Sequence, residues 1–125
     1  MRVQDTDRAS YEFREISMKP LTDVCPDPKA VLELGPEKLG HHVLGCLSGT
    51  DEPNIERAII AKTLSSHYHE SFRQEIVRAI EGALEWLLQQ CLLGEQPYNQ
   101  DLIFLTRRGE EAAAEYQKAC AEGKA

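Results

Sequence analysis

Between Ser71 and Cys91 apolar residues return at every third or fourth position: Phe72, Ile76, Ile80, Leu84 and Leu87, widened by Ala83, Leu88 and Cys91. That is the period of one face of an α-helix, and Gln74, Arg78, Glu81, Glu85 and Gln89 fall on the opposite face. The spacing predicts a single helix roughly 30 Å long at 1.5 Å per residue, enough to span a small domain from side to side. A chain of 125 residues has room for one such domain. The remaining elements must therefore pack on this one apolar stripe.

Upstream, Pro36 and Glu37 open a helix in which Leu39, Val43 and Leu47 repeat and which Gly49 is placed to end. Gly40 and Gly45 inside it each cost about 1 kcal/mol relative to alanine, so close approach by another helix is expected there. A second helix is expected from the Thr50-Asp51-Glu52-Pro53 cap to about Ser66. It would turn Ile55, Ile59, Ile60 and Leu64 inward and Glu56, Arg57 and Lys62 to water. Ser66 to Glu70 makes the turn into the long helix.

After the long helix the period changes. Leu92 and Leu93 precede a polar turn from Glu95 to Asp101, with turn chemistry from Gly94, Pro97 and Asn99. Leu102-Ile103-Phe104-Leu105 reads as a short strand. Thr106 would cap a last, alanine-rich helix from Arg107 or Arg108 to about Ala121, with Tyr116 as its one large anchor. The expected fold class is mainly α with a small β-hairpin: three helices, hairpin, C-terminal helix. Four of the six prolines lie in the first forty residues, and Pro20 to Pro28 reads as an extended linker because residues before proline avoid the helical region. The expected organisation is an N-terminal arm, 1–28, partly ordered, followed by one domain, 29–125.

Three helices followed by a hairpin is the order of a winged helix-turn-helix, and the local wording agrees. Ala83-Leu84-Glu85-Trp86-Leu87 leads into Leu92-Leu93, and Leu102-Ile103-Phe104-Leu105-Thr106-Arg107-Arg108-Gly109 leads into an alanine-rich helix. These segments resemble the recognition helix, wing and exit of winged helices of the multiple-antibiotic-resistance-regulator type. The opening Leu34-Gly35-Pro36-Glu37-Lys38-Leu39-Gly40 is similar to that of an uncharacterised bacterial Ymh-like hypothetical family, and the likeness covers about residues 30–122.

The resemblance implies DNA binding and transcription regulation, with the third helix in the major groove of double-stranded DNA and the wing on phosphates or the minor groove. On this chain the DNA face would use Arg73, Gln74 and Arg78, with Glu81 at its margin. Arg107 and Arg108 would add a phosphate contact at the base of the wing, unless they only solvate the strand-to-helix junction. The wing tip would be Tyr98, Asn99, Gln100 and Asp101. Such wings usually have a left-handed glycine where the long helix ends, and Cys91 stands there instead. That predicts a helix running on to Gly94 and a shortened first strand.

Charge opposes the DNA reading. Lys and Arg number 14 against 21 Asp and Glu, for a net charge of −7. Residues 41–125 carry eight basic and thirteen acidic groups, so most of the deficit sits in the winged-helix body. The long helix itself has two arginines against Glu70, Glu75, Glu81 and Glu85, and the tip carries Asp101 without a cation. A strongly basic nucleic-acid binder is excluded. The alternative is a winged helix used as a protein-protein interaction module, in a bacterial defence or regulatory assembly. Homodimerisation through terminal helices fits either reading.

The residues that carry chemistry elsewhere are sparse. No apolar run approaches a membrane span, and Asp5, Asp7, Glu12 and Glu15 replace the apolar core of a secretory signal, so a cytoplasmic location is expected. Cys25, Cys46, Cys91 and Cys120 form no CxxC pair and read as small buried hydrophobes. His41, His42 and Cys46 lack a second liganding pair of recognised spacing, so no metal is expected. His67-Tyr68-His69 reads as a half-exposed turn, or as a pH-sensitive contact, and Trp86 as half-core. Glycine-rich phosphate loops, GxSxG and HExxH are absent, and adjacent Glu110 and Glu111 diverge on a helix. No enzyme and no cofactor are expected.

Overall fold

The long helix forms as its stripe predicts, and the chain wraps around it. In the computed structural model, which describes residues 18–48, 50 and 54–121, the protein is mainly helical with one small antiparallel sheet. In chain order the elements are a 3-10 turn (Leu21–Asp23), α1 (Pro28–Glu33), α2 (Pro36–Leu47), β1 (Ile55–Glu56) and α3 (Arg57–Ser65). Then follow α4 (Glu70–Gln89), β2 (Leu93–Gln96), β3 (Asn99–Leu105) and α5 (Arg107–Ala121). Residues 1–17 of the expected arm lie outside the described residues, as do Gly49, Asp51, Glu52 and Pro53 of the expected caps. Among the described residues no helix is long and apolar enough to cross a membrane.

Ile76, Ile80, Ala83, Leu84 and Leu87 of α4 are buried, and α1, α2 and α3 all pack on this helix. Burial of a Leu or Ile side chain contributes about 1.5–3 kcal/mol, far more than helix propensity adds at one position. The packing of α4 thus decides the architecture. On α2, the two glycines meet aromatic rings. A Cβ on Gly40 would lie 3.0 Å from the Trp86 ring, and one on Gly45 would lie 2.6 Å from the Tyr116 ring. The expected close approach is therefore to α4 at one glycine and to α5 at the other.

The Pro20–Pro28 stretch, expected as an extended linker, is packed instead. Leu21 is fully buried, and Cys25 joins the same core. The buried Tyr68 hydroxyl donates to the Cys25 carbonyl at 2.6 Å. Asp27 then caps α1 by accepting from the Lys29 amide at 3.0 Å, with Pro28 as the first helical residue. The prolines mark turns here, and the apolar residues between them hold the segment down.

The second core helix also starts later than its cap suggested. Ile55 and Glu56 form a strand, paired antiparallel with Ile103 and Leu102 of β3, and α3 begins only at Arg57. A β-branched isoleucine finds a paired, buried place beside β3, so tertiary pairing overrides the helical reading. The hairpin becomes a three-stranded sheet of order β1-β3-β2. Both its strands are longer than expected: Glu95 and Gln96 belong to β2, and Asn99 to Asp101 belong to β3, leaving only Pro97 and Tyr98 as the turn.

Cys91 corrects another expectation. The helix does not run on to Gly94; α4 stops at Gln89 and Cys91 itself adopts the left-handed conformation, φ 62°. The Leu92 amide donates to the Leu87 carbonyl and the Cys91 amide to the Leu88 carbonyl, both at 3.0 Å. These are the two bonds of a Schellman cap. Cys91 is consequently exposed, and Cys120 is half-buried, so only Cys25 and Cys46 behave as the buried hydrophobes expected of all four thiols. Burial pushes the Cys46 thiol up to about 12.

Candidate functional site

The residues expected to meet a partner lie on α4, the hairpin and the start of α5. On α4, Gln74, Arg78, Glu81 and Glu85 share one exposed face. Arg73 does not share it. Five residues separate Arg73 from Arg78, about 140° around a helix of 3.6 residues per turn. Arg73 instead turns back, and its Nε donates to the Tyr68 carbonyl at 2.9 Å. It braces the turn before α4, where His69 caps the helix by accepting from the Ser71 amide at 3.1 Å. The middle residue of His67-Tyr68-His69 is buried, not half-exposed.

Arg107 and Arg108 are exposed at the other end of α4. The Thr106 amide donates to the Leu92 carbonyl at 3.2 Å, which places the start of α5 beside the end of α4. Arg73 lies near the start of α4, so about 24 Å of helix separates it from that junction at 1.5 Å per residue. The arginines form no continuous basic stripe. Arg107 approaches Glu111 at 3.9 Å with its side chain 92% exposed, a contact of little energy in water.

Thr106 and Gly109 explain the geometry of this junction. The Thr106 hydroxyl lies 2.7 Å from the Cys91 carbonyl and accepts from the Gly109 amide at 3.0 Å, so it joins the end of α4 to the start of α5. A Cβ on Gly109 would lie 1.9 Å from the Leu92 carbonyl oxygen. Only glycine permits that approach. The Thr-x-x-Gly wording is thus a hinge-free joint between hairpin and terminal helix.

At the hairpin, Tyr98 is 75% exposed, and Asn99 accepts from the Asp101 amide at 3.0 Å. The expected tip residues stand together, with Asn99, Gln100 and Asp101 on the end of β3. The cation nearest them is one that the sequence placed in water. Arg57, the first residue of α3, donates from Nη1 to Glu85 of α4 at 3.1 Å and from Nη2 to Glu95 of β2. Its Nε donates to the Gln100 carbonyl of β3 at 3.2 Å. The guanidinium side chain is only 26% exposed. A cation in the first turn opposes the positive end of the helix dipole. The sequence pattern starts this helix at the Thr50–Pro53 cap, with Arg57 in a later turn, so the misfit becomes visible only with the helix start at Arg57.

His41, His42, Tyr68 and Tyr116 serve packing. His42 is hydrogen-bonded through Nδ1 to the Tyr116 hydroxyl, which joins α2 to α5, while the His41 ring stands 5.6 Å from Trp86. Burial, with a smaller push from His41, lowers the His42 pKa. Burial also raises the Tyr68 and Tyr116 hydroxyls above their ordinary range. Trp86 is half-buried against the core. A cavity of about 660 Å³ lies between the sheet and α5, lined by residues that include Leu47, Ile55, Leu93, Ile103 and Ala113, with Glu110 at its edge. Comparison with protein-family models, with curated proteins and with solved structures returned no match.

Proposed function

We propose that the chain is a winged-helix module whose α4 and hairpin, the wing, form a surface for a protein partner, and that it performs no catalysis. The order of three core helices, hairpin and terminal helix supports the winged-helix reading. The arrangement of charge carries the functional one. Of the cations that would serve a DNA face, Arg73 braces the Tyr68 turn and Arg107 and Arg108 lie about a helix length away. Arg57, which would strengthen such a face, is occupied by two carboxylates. The exposed face of α4 retains Arg78 against Glu70 and Glu81, with Glu75 exposed on its flank. A phosphate backbone is repelled by such a face, and a partner presenting Lys or Arg is attracted to it.

The test is a paired measurement on the full chain. Wild type should show no salt-dependent shift of a 20–30 base-pair duplex at 50 mM salt. It should capture a basic protein from bacterial lysate that is lost when Glu75 and Glu81 are changed to Lys, and kept when Arg107 and Arg108 are changed to Ala. The DNA-binding reading is favoured by the exposed pair Gln74 and Arg78 on the first half of α4. It predicts the converse: duplex binding that weakens with salt and with Arg78→Ala.

A further inference from the structure

We infer that Arg57 is the positioning residue of the α4–wing surface, a latch that fixes the angle of the wing against the helix. The inference rests on the interaction-surface reading for its biological use, but the latch itself is a property of the isolated chain.

The hairpin needs such a device. β2 and β3 pair regularly from Leu93 opposite Leu105 to Glu95 opposite Ile103, and then the register breaks, with Gln96 opposite Asn99. Between those pairs Gln100, Asp101 and Leu102 have no counterpart on β2. Such a bulge bends the strand and frees its backbone groups. β1 takes Leu102, through Glu56, and Arg57 takes the Gln100 carbonyl. The next residue after β1 thus continues the support of β3 with its side chain where the strand has become a helix.

The same guanidinium reaches two carboxylates on different elements, Glu85 on α4 and Glu95 on β2. Four elements, α3, α4, β2 and β3, therefore meet at one planar group with a fixed fork of donors. Lysine carries its three donors on a single nitrogen and would not reach all three acceptors, which meet separate nitrogens of the guanidinium. The wing tip beyond this point is exposed, from Pro97 to Asp101, and the latch ties its base to the body together with the Gln96 side-chain amide, which donates to Asn54 before β1. The latch also determines what the surface shows a partner. Glu85 and Glu95 face it already paired, so among the described residues the surface keeps Glu70, Glu75, Glu81 and Asp101 beside Arg78 as charges outside these ion pairs.

Residue-resolved hydrogen exchange on the full chain tests the inference, with wild type, Arg57→Gln, Arg57→Lys, Glu95→Gln and the double variant Arg57→Gln/Glu95→Gln. Arg57→Gln should speed exchange of the hairpin amides Glu95 and Gln96 about tenfold or more, while Ile76, Ile80 and Leu84 of α4 stay within about threefold. Arg57→Lys should fall between the two. In the double variant Glu95→Gln should add nothing once Arg57 is gone, the mark of a direct coupling. Equal acceleration in α4 and hairpin would reduce Arg57 to a general stabiliser and overturn the latch. So would unchanged hairpin exchange, or additive effects of Arg57 and Glu95. Failure of the partner experiment alone would leave these exchange rates as they are, so the two ideas fail separately.

Discussion

Replacing Cys91 by glycine should make the protein more stable. At φ 62° an L-residue carries about 1–2 kcal/mol of backbone strain that glycine does not. The gain is partly offset, because glycine leaves the unfolded chain about 0.5–1 kcal/mol more freedom. Cys91 is exposed, so its thiol contributes no buried contact. Both cap bonds run between backbone groups and survive the change. The net expectation is a stabilisation of about 0.5–1 kcal/mol. Cys91→Ala is the control, since it removes the thiol but keeps the Cβ and the strain; it should stay within about 0.5 kcal/mol of wild type. Urea unfolding under reducing conditions, followed through the single tryptophan, Trp86, gives the three midpoints. A Cys91→Gly midpoint no higher than that of Cys91→Ala would refute the assignment of strain to this residue. It would also remove the reason for regarding the exit of α4 as fixed by a left-handed cap.

Gly109→Ala should do the reverse and destabilise by about 3 kcal/mol or more, because the added methyl meets the Leu92 backbone oxygen, which no side-chain rotation can move away. A loss below about 1 kcal/mol in the same urea assay would show that the junction yields. Tyr68→Phe should cost about 1–2 kcal/mol, since it leaves the Cys25 carbonyl without the hydroxyl that tethers residues 18–28 to the body; proteolysis rates near residue 25 should rise in parallel. His42 has its pKa lowered in the folded state, so the unfolded chain binds the proton more readily. That contribution to stability is complete above the ordinary value of 6.5 and is lost as pH falls through it towards the lower folded value. The groups around His42 are Lys19, Asp23, His41, Cys46, Tyr116 and Cys120. Comparing urea midpoints at pH 7.5 and 5.0 for wild type and His42→Gln isolates its share, and the variant should lose less on acidification. Light scattering at high concentration tests association through α5, with a dimer mass expected if that helix is an interface.

What was legible in the sequence follows the range of the forces involved. The stripe of α4 is periodic, so Ile76, Ile80, Leu84 and Leu87 announce their own burial. Thr106 as a cap and the two glycines of α2 were equally readable, because capping and close packing leave local residue choices behind. Ile55 was misread because a β-branched residue beside a helix start suits strand and helix alike, and only the distant Ile103 decides between them. Leu21 was missed because prolines on both sides masked its attachment to the core. Arg57 is the instructive case. Its carboxylates lie 28 and 38 residues further along the chain, at no helical or strand spacing. With the helix start expected at Thr50–Pro53, Arg57 falls in a later turn facing water and breaks no local rule; only the start of α3 at Arg57 sets a lone cation against the helix dipole. The pairing of β1 with β3 moves the helix start, and the long-range contact of Arg57 with Glu85 and Glu95 relieves the conflict this creates. In this chain that contact joins the very elements, α4 and the hairpin, on which the partner-binding reading depends.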